Sequence, residues 1–130
     1  MVISTPCSPA EVIDKITVLE IKLKVIKDEG KLKNVRDEHA LLMGALTEVI
    51  TLTEEILVLK DQLALANQSI WDSEDAVRAD WQDDAKCLAA ARNSHYMNDE
   101  RARIKREINK LLGSSITEEK SHPKYDPGKK

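Results

Sequence analysis

Apolar residues recur at steps of three and four through most of the chain, and the pattern predicts helices throughout. The clearest start is Ser8-Pro9-Ala10-Glu11. Ser8 can accept from the Glu11 amide, Glu11 can reach back to Ser8, and Pro9 suits the first helical position. Helix 1 is expected over Val12–Lys27. Val12, Ile16, Leu19, Leu23 and Ile26 form one apolar line; Val18, Ile21 and Val25 form a second on roughly the opposite face. Two apolar faces predict burial on both sides, with helix 1 held between its own hairpin and another subunit.

A turn or kink is expected at Asp28-Glu29-Gly30, with Gly30 as a left-handed cap. Helix 2 is expected over Lys31–Ala66, because Leu42, Ala45, Val49, Leu52, Ile56, Leu59, Leu63 and Ala66 keep the spacing unbroken. At a rise of 1.5 Å per residue such a rod would measure roughly 50 Å. Asn67-Gln68-Ser69 reads as a turn, and helix 3, Ile70–His95, as the returning arm of a long antiparallel hairpin. Asn98 reads as the cap of a short helix 4 ending at Leu112-Gly113. The expected fold is thus all-α: a coiled-coil-like hairpin domain over residues 1–113, assembling as an oligomeric bundle. Residues 114–130 (SSITEEKSHPKYDPGKK) form an extended or disordered tail.

Composition agrees with long helices. Of 130 residues, 33% are charged, aromatics make up 3%, and Phe is absent. The net charge of -3 argues against a nucleic-acid partner. Arg103, Arg106 and Lys110 form an outer basic face that Glu100 and Glu107 partly neutralise. Cys7 and Cys87 have neither metal nor disulfide-framework spacing, which suggests free thiols. With no long apolar run and no signal-peptide core, a soluble cytoplasmic protein without a membrane partner is expected.

Some residues exceed what architecture requires. Glu74, Arg92, His95, Arg101 and Lys105 fall at or beside core-phase positions, where unpaired charge is costly. Either they satisfy one another, Glu74 with Arg92 or Arg101, or they line a pocket for an anion. In a pocket Arg would act as a planar fork and Trp71 or Trp81 as a stacking wall. Ligand contacts are expected at Trp71, Glu74, Arg92, Tyr96, Arg101 and Lys105. His39 continues a seam and suits a register-setting role; His39, His95 and His122 share no metal spacing. No Gly-rich phosphate loop, nucleophile elbow or Cys-x-x-Cys is present. Glu54, Glu55, Asp72, Glu74 and Asp75 lack the paired spacing of helical nucleotide pyrophosphatases. Helix 1 also lacks the arginines with which helical chorismate mutases hold a dicarboxylate.

Three stretches, ISTPCSPAEVIDKITVLEIKLK, ARNSHYMNDERARIKREINKLLGS and EEKSHPKY, resemble DUF6165, an uncharacterised family of short helical proteins from bacteria and their phages. Members usually carry Gly two residues after the cap, where this chain has Ala10. The resemblance implies that Asp14, Lys15, Glu20, Lys22, Asn98, Asp99, Arg101 and Lys105 belong to a shared pattern, without implying an activity. The residues are read as a non-enzymatic, cofactor-free oligomer that binds an anionic small molecule such as a nucleotide; a phage-type regulator or scavenger is the speculative case. The competing reading is a structural or protein-docking coiled coil.

Overall fold

The computed structural model describes residues 1–125; Pro127 and Gly128, with the rest of residues 126–130, lie outside the described part. It is all-α, with four helices and no strand among the described residues: α1 Pro9–Val25, α2 Glu29–Val49, α3 Glu54–Ala79 and α4 Asp84–Leu111.

Each helix starts on a side-chain cap. Ser8 Oγ accepts from the Glu11 amide, Asp28 from Lys31, Thr53 from Ile56 and Asp83 from Lys86. These caps correct the expected boundaries. The rod over Lys31–Ala66 is interrupted at Ile50–Thr53, where Ile50 turns extended and Thr53 opens α3. The apolar spacing crosses this break undisturbed because α2 and α3 both face α1. The expected turn at Asn67–Ser69 lies inside α3, and the expected cap Asn98 lies inside α4. The actual turn between them is Asp80–Asp83, closed by the Asp83 amide donating to the Asp80 carbonyl. Gly30 is not a left-handed cap but sits in the first turn of α2. Gly113 does take the left-handed conformation, at φ 65°, and the Ser114 amide donates back to the Asn109 carbonyl, closing α4.

Helix α1 is the hub. It packs against α2, α3 and α4, whereas the backbone of α2 approaches no other helix. Ala10, Ile13 and Ile16 meet Leu46 of α2, Ile56, Leu63 and Ala66 of α3, and Ile104 and Ile108 of α4 in one core. The far face of helix 1 is covered within the chain only in part: Ile21 is 4% exposed and Val18 is half-buried. Val25, at the frayed end of α1, is left 44% exposed. The early break at Ile26–Asp28 lets α2 fold back as a separate cover, which a continuous rod could not do.

Beyond this base α3 and α4 continue as a pair. Between Gln68 and Tyr96 Ser73 is the only buried residue. Polar links join the two helices here: Asn93 Nδ2 donates to Ser73 Oγ (2.8 Å) and Ser69 Oγ (3.1 Å), and Cys87 Sγ lies 3.4 Å from the Val77 carbonyl. The stretch is a two-helix arm that extends roughly 18 Å past the base.

Thr53 separates the four-helix reading from the continuous rod. Thr53→Ala should cost about 1 kcal/mol in urea unfolding, as for a lost N-cap. A mid-rod threonine exchanged for alanine would instead leave stability unchanged or raise it.

Candidate functional site

The polar centre of the molecule is Asp14, one turn into α1 and buried against both α3 and α4. Arg101 of α4 grips it in a two-pronged pair: Nε donates to Oδ1 at 2.8 Å, and the NH2 nitrogen donates to Oδ2. Asn67 Nδ2 donates to Asp14 Oδ1 and to Thr17 Oγ1, both at 2.8 Å. The Thr17 hydroxyl in turn donates to the Asp14 carbonyl. One charged pair and one amide therefore tie three helices together at a single carboxylate.

The neighbouring turn repeats the theme. Lys105, only 4% exposed, points its ammonium at Glu11 Oε1 (2.5 Å) and at Glu118 Oε2 of the tail (3.1 Å). Glu11 thus serves Lys105 instead of reaching back to the Ser8 amide. One turn further, Asn109 Oδ1 accepts from the Ala10 amide at 3.0 Å, satisfying a donor at the start of α1. Ala10 itself is completely buried, so this position has room for no larger side chain without repacking. Among the described residues no buried side-chain nitrogen or oxygen lacks a partner.

Burial pushes the Asp14 carboxyl upward, but hydrogen bonds from Arg101 and Asn67 and the charges of Arg101 and Lys105 overcome it. The acid is held below its ordinary value. Burial alone would lower Lys105; hydrogen bonds to Glu11 and Glu118 outweigh it and raise the ammonium. The hydrogen bond to Asp14 likewise raises Arg101. All three groups are charged at neutral pH and already paired.

Of the six expected ligand contacts, only Arg101 and Lys105 share a site. Arg101 pairs with Asp14, not with Glu74; Glu74 pairs instead with Arg78, one turn along exposed α3 (3.0 Å). Trp71 is half-buried in the arm, while Arg92 and Tyr96 are exposed on α4. The cavity beside Arg101 and Lys105 is lined also by Asn98, Ala102, Glu118 and Lys120 and holds only about 30 Å³. That is room for a water or two and far too little for a nucleotide. The partners of Arg101 were missed because Asp14 and Asn67 stand at positions that a wheel of one helix cannot assign. Their signal was chemical: a lone acid on an apolar helix face requires a cation from elsewhere.

Two further groups have settled roles. Glu20 receives Lys60 Nζ at 2.8 Å and lies 3.4 Å from His39 Nε2. Burial raises that acid, and the bonds and charges of Lys60 and His39 bring it down past its ordinary value. His39 therefore joins α2 to α1 within the chain. On the outer face of α4, Arg103 is held by Glu100 and Glu107. Among the described residues no cluster of His, Cys, Asp or Glu could hold a metal, and no helix is long and apolar enough to cross a membrane.

Removing Arg101 would leave a buried carboxylate with no cation paired to it and only the Asn67 amide bonded, so Arg101→Ala should lower unfolding free energy by about 3–5 kcal/mol. The depressed Asp14 acid contributes stability above its ordinary value of 3.8 and loses it as pH falls toward the lower folded value. In acid titrations followed by circular dichroism, Asp14→Asn should be less stable at neutral pH and show a flatter decline below pH 4.

No curated protein and no solved structure matches the chain. A family model matches residues 3–125, a span that includes every member of the Asp14, Lys105 and Asn109 network. The chain therefore belongs to DUF6165, a family of unknown function.

Proposed function

We propose that the protein is a non-enzymatic helical docking module whose α3–α4 arm engages a basic, partly apolar surface of another protein. The observation that carries this reading is the arm itself. It projects from a base held together by buried ion pairs, yet its own interior is thin. Its tip exposes Trp81 to 67% and Leu88 to 51%, the kind of large side chain that anchors interfaces. Between Gln68 and Met97 the arm carries six acids (Asp72, Glu74, Asp75, Asp80, Asp83, Asp84) against three bases (Arg78, Lys86, Arg92). The three excess acids equal the net charge of the whole chain, -3. Two such arms would repel each other, whereas a basic partner would be drawn in. The arm is read as an antiparallel hairpin, because Cys87 meets Val77 while the later Asn93 meets the earlier Ser73.

A nucleotide-sized anion is disfavoured, since the cavity beside Arg101 and Lys105 holds only about 30 Å³ and both cations already have carboxylate partners. Self-association has a candidate surface beyond the exposed Val25 end of α1. The outer side of α2 is the natural one, where Leu41 and Val49 are exposed and Glu48 is the sole charge between Ala40 and Val49. Native mass spectrometry would read the subunit number directly.

The test compares the intact protein with Trp81→Ala/Leu88→Ala as bait in lysate. Both side chains are exposed, so melting temperature should be nearly unchanged. Bound proteins should be basic, should elute with salt and should be absent from the double variant. Retention of the same proteins by the variant, or salt-independent retention, would refute docking through the arm.

A further inference from the structure

We propose that the tail is a strap over a small oxyanion socket, and that the Glu118 carboxylate occupies the place of the ligand. The socket is formed by Asn98, Arg101 and Lys105 on successive turns of α4, and is lined also by Ala102 and Lys120. Its ligand is a carboxylate or a phosphate group small enough to stand where the Glu118 head group stands.

Three observations support this. First, the lining is lopsided in charge: Arg101, Lys105 and Lys120 face the cavity, and Glu118 is the only acid among the lining residues. Asp14 and Glu11 are not among them. They engage Arg101 and Lys105 without closing the socket.

Second, Glu118 differs in kind from the other partner of Lys105. Glu11 is fixed on α1. Glu118 belongs to residues 114–125, which have no helix or strand of their own. The tail meets α4 through Glu118 on Lys105 (3.1 Å), Lys120 on Asp99 (3.7 Å) and Tyr125, which lies exposed beside Asp99. Its apolar Ile116 is 43% exposed and adds little. The tail-side partners, Glu118 and Lys120, are both partly exposed, so salt and water compete for each, and the strap can lift without unwinding a helix.

Third, lifting it leaves unmet demand. Lys105 has three N–H donors at an almost fully buried position, and its two carboxylate partners are Glu11 and Glu118. Without Glu118 the Lys105 ammonium keeps Glu11 alone and, beside the guanidinium of Arg101, faces an opened cavity, a setting that an incoming oxyanion satisfies.

The experiment uses the full chain and Glu118→Gln, which removes the resident charge and keeps the side chain's size. Melting temperature is followed with sodium acetate, sodium phosphate or sodium chloride at matched ionic strength. In Glu118→Gln at least one oxyanion should raise the melting temperature above chloride, by about 5 °C at ten times its dissociation constant. The wild type should respond less, because Glu118 competes. Acetate and phosphate together identify which oxyanion the socket prefers. As a second readout that needs no further substitution, the ¹⁵N resonance of the Lys105 ammonium in Glu118→Gln should shift saturably with the same anion. Equal behaviour of all three salts in the variant, or an equal rise in wild type and variant, would overturn the proposal.

Discussion

The fold depends on a buried carboxylate that no single pair of helices could satisfy. Asp14 sits on the most apolar helix of the chain, where an unpaired charge would cost several kcal/mol. Its two oxygens are met by a guanidinium from α4 and an amide from α3. Hydrophobic contacts between α1, α3 and α4 would tolerate sliding or rotation, because apolar packing is only weakly directional. The ion pair does not. Arg101 reaches both oxygens of Asp14 only in one register, and the same register brings Lys105 to Glu11 and Asn109 to the Ala10 amide. The polar ladder along α1 selects one arrangement from the many that an aliphatic core would allow.

That selection explains why the base and the arm are built so differently. The base concentrates isoleucine, leucine and alanine around α1, and its buried polar side chains all have partners. The arm substitutes serine and asparagine links for apolar depth. Acidic residues crowd its turn, where Asp80 and Asp83 are consumed in closing α3 and opening α4. Trp81 is left outside because a two-residue gap between these caps has no interior in which to place an indole.

Much of this could be read in the sequence, and the failures have a common cause. Helical class, the Ser8 start, the Gly113 stop and the core-side placement of Arg101 and Lys105 followed from spacing and from charges at core phase. The boundaries inside residues 31–112 did not. Val49, Leu52 and Ile56 keep a helical rhythm across a real break, because both flanking helices face the same core, and the cap Thr53 is hidden inside that rhythm. Asn67 and Asn98 looked like caps because asparagine favours helix ends. Asn67 instead spends its amide on Asp14 and Thr17, and Asn98 donates to the Ser94 carbonyl and accepts from Arg101. Tertiary demand overrode local preference at both. Asp14 carried a chemical signal as an acid on an apolar helix, but its partner stayed hidden, since one helix drawn alone cannot show which cation an acid will find.

The contrast between base and arm also shapes how the molecule breathes. Amide hydrogens between Gln68 and Tyr96 are protected by helical hydrogen bonds with scant apolar cover, whereas those beneath Asp14 are locked behind a core. The two parts therefore constitute separate foldons: the arm can open and reclose many times during the life of a base that stays shut. A segment that melts locally at small cost can mould itself to another surface and still be returned to the same place by the rigid body that carries it.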